Sequence, residues 1–362
     1  MKQLIINRND LEHNIKRVKT YVREISQNDD YKIIAVVKGN GYGLGLKQYS
    51  QILVENGIEY LAVAAIEEAL MLSKEKMCKN ILMLSPIYDK KDLEEAIKNN
   101  IIITIDSKES VKLVNELATK GYNIRTHIKI DTGFGRYGFV YKNHEEILQA
   151  LKNLDKNIKT EGIFSHFSDS YCKNNKHTLK QFKRFEKILA MLEENDIKIN
   201  LKHICSSPAI LNYPEMHLNS ARLGSIFTGR VCSENNIGLK KIGQLEISIA
   251  EVKVVPPKFN ISYLNSYKTK KETKIAVIPI GYFEGYHIIQ NTDMFRLIDK
   301  LRRAFREIKS IFKKRKLTVE INNKRYNIIG TIRYVSYNSR YNGHEYKNRR
   351  YCYFRSKSNI YI

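Results

Sequence analysis

Through the first two thirds of the chain, short apolar and β-branched runs are separated by charged stretches with helical spacing. The runs are IIAVVK (33–38), YLAVAA (60–65), ILMLSP (81–86), IIITID (101–106), RTHIKID (125–131), EGIFSHF (161–167), LKHICSS (201–207) and ARLGSIF (221–227). Compact apolar runs bounded by polar residues suit strands buried on both faces. Between them, VKLVNELATKG (111–121) and KRFEKILAMLEEN (183–195) repeat apolar residues at the spacing of an amphipathic helix, and the first closes on Gly121, a natural helix stop. Eight strands alternating with helices predict an α/β fold, a parallel (β/α)8 barrel of the TIM type, whose chemistry collects at the C-terminal strand ends.

After about residue 240 the texture changes to EISIAEVKVV, ISYLNSYKT, KIAVIPIGY and TVEINNKRYNIIG, strand-like runs without intervening helical spacing. A barrel over residues 1–240 is therefore expected, with residues 1–7 as a first strand open to pairing with the C-terminal domain, followed by a smaller, mostly β domain over 241–332. A basic helix is inserted at about 293–315, within MFRLIDKLRRAFREIKSIFKK. Its apolar positions Phe295, Leu297, Ile298, Leu301, Phe305, Ile308, Ile311 and Phe312 fall on one stripe, which predicts a surface helix docked by that stripe.

A length of 362 residues exceeds the usual size of one core and agrees with two domains. No apolar run approaches the ~20 residues of a membrane span, and the opening MKQLIINRNDLEHNIK lacks a signal-peptide core. A cytoplasmic protein with no membrane partner is expected. The net charge of +24 raises nucleic acid as a partner, but lysine is spread along the whole chain and the densest basic stretches, Lys313 to Lys316 and Arg349 to Arg350, lie near its end. That distribution argues against it. Cys78, Cys172, Cys205, Cys232 and Cys352 show neither CxxC spacing nor histidines at ligand distance, so free thiols are expected, with no metal site and no disulfide framework.

Candidate chemistry begins at Lys38, which ends the first of the eight runs and is followed by GNGYGLG. Glycines there let backbone approach a ligand closely, and a lysine at a strand's catalytic end suits Schiff-base chemistry. Taken with HIKIDTGFGRYGF, FSHFSDS, HICSSPA, NSARLGSIFTG, ISYLNSYKT and IPIGYFEGY in that order, AVVKGNGYGLG resembles the cofactor signature of the alanine racemase family, and the resemblance continues to about residue 332.

The resemblance implies pyridoxal 5'-phosphate as cofactor, carried on Lys38, and an amino-acid substrate in a homodimer with shared active sites. It implies that Arg136 lies near the cofactor's phenolic oxygen and the substrate carboxylate, that Lys129 pairs with Arg136 and is carbamylated in many relatives, and that His166 partners a catalytic tyrosine. Ser207, the hydroxyl of Tyr42 and the backbone amides at Gly224 and Ser225 would hold the phosphate, as nests of N–H groups do. Arg222 would face the ring nitrogen. An arginine cannot accept that nitrogen's proton, so the ring is a weaker electron sink and reprotonation at Cα, which is racemisation, is favoured over transamination. The two faces of Cα would be served by Lys38 and by Tyr267, the latter delivered from the partner subunit. Tyr286 would line the substrate entrance, again from the partner.

Glu284 stands where the family has aspartate, and Ser206 and Pro208 differ from the family's residues beside the phosphate serine. L-alanine and D-alanine for the cell wall are the expected substrate pair. Serine or broad amino-acid racemisation is a second reading, and a non-catalytic barrel that binds the same cofactor on a similar lysine is a third, though such barrels lack the β domain and Tyr267. The tail departs most. Residues 331–362 hold seven of the 23 tyrosines, one acidic residue (Glu345) and no sustained strand or helix period. Written in AT-rich codons from Arg333 and read one base later, the segment gives DMSATTVDIMDMNIKIGDIVILEVNPIY, which resembles the family's continuation of a VDI strand, IKIGD and another strand. Residues 333–362 are therefore expected to be an out-of-frame basic tail, and the racemase to be weakened or inactivated by loss of the family's closing segment.

Overall fold

The protein is described from a computed structural model, which covers residues 1–171, 175–286, 301, 304–305, 308 and 317–332, together with the backbone of 337–340 and 351–354. Cys172, the side chain of Cys352, most of the predicted basic helix and most of the tail lie outside the described residues. The chain divides into two compact units, residues 7–242 and, jointly, residues 1–6 with 243–362.

The first strand of the chain, β1 (Lys2–Ile6), belongs to the second of these units. The larger unit is a parallel barrel. Its strands are β2 (Lys32–Val36), β3 (Tyr60–Val63), β4 (Asn80–Met83), β5 (Ile103–Ile105), β6 (Ile124–Asp131, flanked by a short β7, Phe139–Val140), β8 (Ile158–Phe164), β9 (Leu201–His203) and β10 (Ser220–Leu223). Hydrogen bonding runs β4-β3-β2-β10-β9-β8-β6-β5, and a parallel bridge between Leu82 and Ile102 closes the ring. All eight predicted runs supply one strand each. Ile34, Val36, Ala62, Leu82 and Ile102 form one apolar cluster of the barrel.

Helices alternate with these strands and start where the sequence provides caps. Asp89 accepts from the amides of Lys91 and Asp92, and Ser107 and Ser110 form a reciprocal capping box. The helix Lys176–Glu194 buries Thr178, Gln181, Phe185, Ile188 and Leu192 along one face. Gln181 on that face carries polar contacts into the barrel.

In the smaller unit, β1 pairs antiparallel with β11 (Gly243–Ser248) in full register from Lys2–Ile247 to Ile6–Gly243. Then come β12 (Glu251–Val255), a ribbon of β13 (Asn260–Ile261) and β14 (Tyr267–Lys268), β15 (Thr273–Ile278), β16 (Thr318–Ile321) and β17 (Lys324–Ile329). The core is Ile247, Ala276, Ile278, Ile280, Val319, Ile321 and Ile332, with Tyr286 packed among them. Within the tail, β18 (Tyr337–Arg340) pairs with β15 and β17, and β19 (Tyr351–Phe354) with β11 and β16. Backbone strands thus occur where the side-chain pattern shows no period.

The helical residues 301, 304, 305 and 308 are all exposed, with Leu301 58%, Phe305 76% and Ile308 55% accessible. The predicted docking of the stripe is not seen at these three positions, because a pattern of period 3.6 fixes which residues share a face but not what that face meets.

Candidate functional site

Lys38 stands one residue beyond the end of β2, separated from it by Val37, at the barrel end where each strand hands over to its helix. The turn after it is built from left-handed residues: Gly39, Asn40, Gly41 and Tyr42 all have φ between 52° and 65°. Gly39 and Gly41 adopt this conformation freely, while Asn40 and Tyr42 are held in a region that strains non-glycine residues. Asn40 stabilises it, its amide donating to Glu68 at 2.7 Å and its side-chain oxygen accepting from Leu46 at 2.8 Å. The result delivers the Tyr42 ring against the chain at Gly224. A Cβ built on Gly224 would lie 2.3 Å from the tyrosine oxygen, so only glycine allows that approach.

Beside it, the Ser207 hydroxyl accepts from the amides of Gly224 at 2.9 Å and Ile226 at 3.3 Å. Two hydroxyls and backbone N–H groups therefore converge behind β10. Burial pushes the Tyr42 phenol up to about 12, so it stays a neutral hydrogen-bond donor. This is the donor set of an anion site, and it fits a phosphate.

Arg222 projects from β10 into the barrel and is 5% exposed. Its Nη1 donates to His203 Nδ1 at 2.7 Å and to the His203 carbonyl at 3.1 Å; its Nη2 donates to the Ser165 carbonyl at 2.6 Å and to His166 Nδ1 at 3.1 Å. Arginine has no acceptor, so both Nδ1 atoms must accept and both histidines carry their proton on Nε2. His203 Nε2 then donates to His127 Nδ1 at 3.0 Å. Burial beside the Arg222 charge holds His166 and His203 well below the usual histidine range, and burial holds His127 at about 3. All three are neutral at physiological pH. Arg222 itself is lowered to about 10 by burial and remains a cation. With both terminal nitrogens committed, its Nε–H is the donor left over.

Lys129, on β6, is 5% exposed, with its ammonium 5.1 Å from the Tyr137 ring centre and 5.5 Å from that of Phe164. Burial first, and then Arg136 and Arg222, lower it to about 8. Lys38 is lowered by burial, with the same two arginines as the next causes. Arg136 lies on the loop after β6 with its guanidinium 4.3 Å from the Phe134 ring. That loop is tied down by the Asp131 carboxylate, which accepts from the amides of Gly133, Phe134 and Gly135. Among the described residues none of Lys38, Lys129, Arg136 and Arg222 has a carboxylate within 4 Å.

The structure thus brings Lys38, Tyr42, Lys129, Arg136, His166, Ser207, Arg222 and Gly224 to one end of the barrel. Ser225 adjoins Gly224. Tyr267 and Tyr286 belong to the smaller unit: Tyr267 opens β14 opposite Ile261, and Tyr286 is 7% exposed in the apolar core. Sequence reasoning missed Ile226, His127, His203, Ser165 and Gln181. Gln181 Nε2 donates to the His166 carbonyl at 3.2 Å and its oxygen accepts from Ser168. The signal for the two histidines was present as polar residues inside apolar strands, at HIKID and KHICS.

Residues 6–231 match the family model described as alanine racemase, N-terminal domain, and residues 242–334 match alanine racemase, C-terminal domain. An alanine racemase of Methanococcus maripaludis is 37% identical over 283 residues, 76% of this chain and 75% of that protein. One of Clostridium tetani is 38% identical over 262 residues, 70% of this chain and 67% of that protein. The solved alanine racemase of Clostridium difficile 630 superposes with a TM-score of 0.81 at 27% identity, covering 99% of this chain and 88% of that one. A Bacillus anthracis alanine racemase with bound L-Ala-P gives a TM-score of 0.78 at 25% identity, covering 99% of this chain and 86% of that one.

Proposed function

The chain belongs to the alanine racemase family, and from that premise we propose that it interconverts L-alanine and D-alanine with pyridoxal 5'-phosphate held on Lys38. The observation that carries this reading is the group of cations at one barrel end without carboxylate partners, next to a cradle of amides and hydroxyls behind Gly224. Such a site suits an anionic ligand with a phosphate and a carboxylate. The bound cofactor supplies a conjugated ring that withdraws electrons and acidifies the Cα–H of an attached amino acid.

The chain's own residues do the rest. Ser207, Tyr42 and the amides of Gly224 and Ser225 hold the phosphate, with the Ile226 amide added from the geometry. Arg222 offers its Nε–H to the ring nitrogen and, being unable to give up its proton, keeps that nitrogen unprotonated. The weakened sink limits side reactions. Lys38, with its ammonium disfavoured by burial and two arginines, holds or releases a proton on one face of Cα. Tyr267 of the partner subunit serves the other face in a homodimer, and His166, whose proton is fixed on Nε2, donates to that phenolic oxygen. Arg136 binds the substrate carboxylate. Lys129, lowered to about 8 by burial and two arginines, can add carbon dioxide through its neutral amine, releasing a proton, to give a carbamate anion that pairs with Arg136. Tyr286 of the partner subunit lines the entrance.

Circular dichroism of L-alanine and of L-serine incubated with protein and cofactor tests the reading. Loss of optical activity in L-alanine faster than in L-serine is expected. Cofactor bound on Lys38 with no change in either amino acid would sink the racemase and favour a non-catalytic binder.

A specific observation favours a second reading, in which residues from Arg333 onward are translated out of frame and the racemase is weakened. The C-terminal family match stops at residue 334. In the peptide displaced by one base, residues 337–340 read TTVD and 351–354 read IVIL. These are the positions of β18 and β19. Strand backbone over YNSR is ill explained by its Asn and Ser and better explained by the displaced TTVD, while over residues 351–354 either set of side chains, YCYF or IVIL, suits a strand. Resequencing the gene is decisive: codons that cannot yield the displaced peptide would end the idea. Restoring the frame should raise racemase activity.

A further inference from the structure

Gln181 is a buried polar residue to which the proposed reaction gives no part. It lies on the inner face of the helix Lys176–Glu194, in line with Phe185, Ile188 and Leu192, and none of its surface is exposed. All four hydrogen-bonding positions of its amide are used. The oxygen accepts from the amide and the hydroxyl of Ser168, both at 3.0 Å, and the nitrogen donates to the His166 carbonyl at 3.2 Å and to Thr132 Oγ1 at 3.4 Å. A backbone N–H can only donate and a carbonyl can only accept, so the amide has one orientation and cannot flip. An apolar side chain would fill the same space without a desolvation cost, so the glutamine is explained by the groups it binds.

Those groups belong to two loops. Residues 165–170, after β8, form neither strand nor helix, so their backbone groups depend on side chains for partners. Thr132 opens the loop that leads from β6 to Arg136; its Oγ1 lies 2.8 Å from Ser165 Oγ, and its carbonyl accepts at 2.8 Å from Arg184, one helical turn beyond Gln181. We propose that Gln181 is a positioning residue for His166. By fixing the carbonyl at 166 and the amide at 168, it keeps His166 Nδ1 on Arg222 Nη2 at 3.1 Å and holds the Nε2–H in one place. The imidazole needs holding. Burial first, and then Arg222, Arg136, Lys129 and Lys38, disfavour its charged form, and a swing outward into water would relieve both. That the held Nε2–H serves Tyr267 of the partner subunit rests on the racemase reading; the clamp itself does not.

Gln181→Met keeps the volume and removes all four bonds. Phe185→Leu, a packing loss on the same helix face, is the control. Two readouts are taken on the full-length protein: the pH titration of the His166 Cε1–H resonance without cofactor or substrate, and kcat and KM for L-alanine with pyridoxal 5'-phosphate. In the parent, His166 should stay uncharged through the range where an ordinary histidine titrates, and in Gln181→Met its titration should enter that range. The kcat of Gln181→Met should fall roughly tenfold or more while KM stays within about threefold. Phe185→Leu should match the parent in both. An unchanged His166 titration in Gln181→Met overturns the proposal, as does an equal loss of kcat in Phe185→Leu, which would make the effect one of general packing. Should Gln181→Met not fold, Ser168→Ala removes one of the four bonds from the exposed loop side, and the same readouts should move the same way by less; no movement there also overturns it. A parent that binds the cofactor on Lys38 and racemises nothing would end the racemase reading, and the titration alone would then decide the clamp.

Discussion

The two ends of the barrel use the same strands to opposite purpose. At the N-terminal end, Arg125 on β6 is held by Glu161 at 2.8 Å and by Asn80 at 2.7 Å, and Lys32 on β2 by Asp30 at 2.8 Å and Glu59 at 3.0 Å. At the C-terminal end, β6 leads to Lys129 and Arg136, β2 to Lys38, and β10 carries Arg222, all without a carboxylate within 4 Å among the described residues. Lys129 and Arg222 are buried without a carboxylate partner, which is costly, so their persistence points to a ligand that completes them. Cations that are paired locally belong to the fold.

The contrast can be broken most severely at Lys38. Lys38→Ala should abolish both racemase activity and the visible absorption of covalently bound cofactor, while the barrel still folds. Retention of that absorption in the variant would remove the assignment.

A matched pair of substitutions on β6 sharpens it. Arg125→Met takes away the guanidinium that Glu161 accepts from, leaving it only Lys159 at 3.4 Å, and should lower stability by about 1–3 kcal/mol with kcat unchanged. Lys129→Met removes a desolvated cation and should leave the denaturation midpoint within error or raise it, yet cost roughly 10- to 100-fold in kcat/KM by loosening Arg136. Urea titrations beside kinetics read both. Equal stability losses in the two variants would erase the distinction between the ends.

An effect confined to acid lies in pH. His127 titrates at about 3 in the folded barrel because burial excludes its charged form, against about 6.5 when unfolded. Below pH 6.5 the unfolded chain binds a proton that the folded one refuses, so stability present at neutral pH declines as pH falls through the window down to about 3. His127→Gln, which keeps an acceptor for His203, should flatten that decline by about 1.4 kcal/mol per pH unit. An unchanged slope would show that His127 does not stay neutral.

Much of the site was legible in the chain. Compact β-branched runs are local signals, so all eight barrel strands, and with them the strand-end position of Lys38, followed from the order of residues. The Gly224 amide was expected at a phosphate from the family resemblance, although the Tyr42 oxygen that leaves no room for a Cβ there was not legible. What the tertiary structure alone decided is pairing. Nothing in the sequence says that Arg125 meets Glu161 while Lys129, four residues on, meets aromatic rings, or that Arg222, His203 and His127 form one chain of hydrogen bonds with fixed tautomers. Nor did the stripe at Leu301, Phe305 and Ile308 reveal that it would face outward. Periodicity records which residues share a face, since that depends on neighbours a few positions away. What the face meets depends on segments tens to hundreds of residues distant, and only folding brings those together.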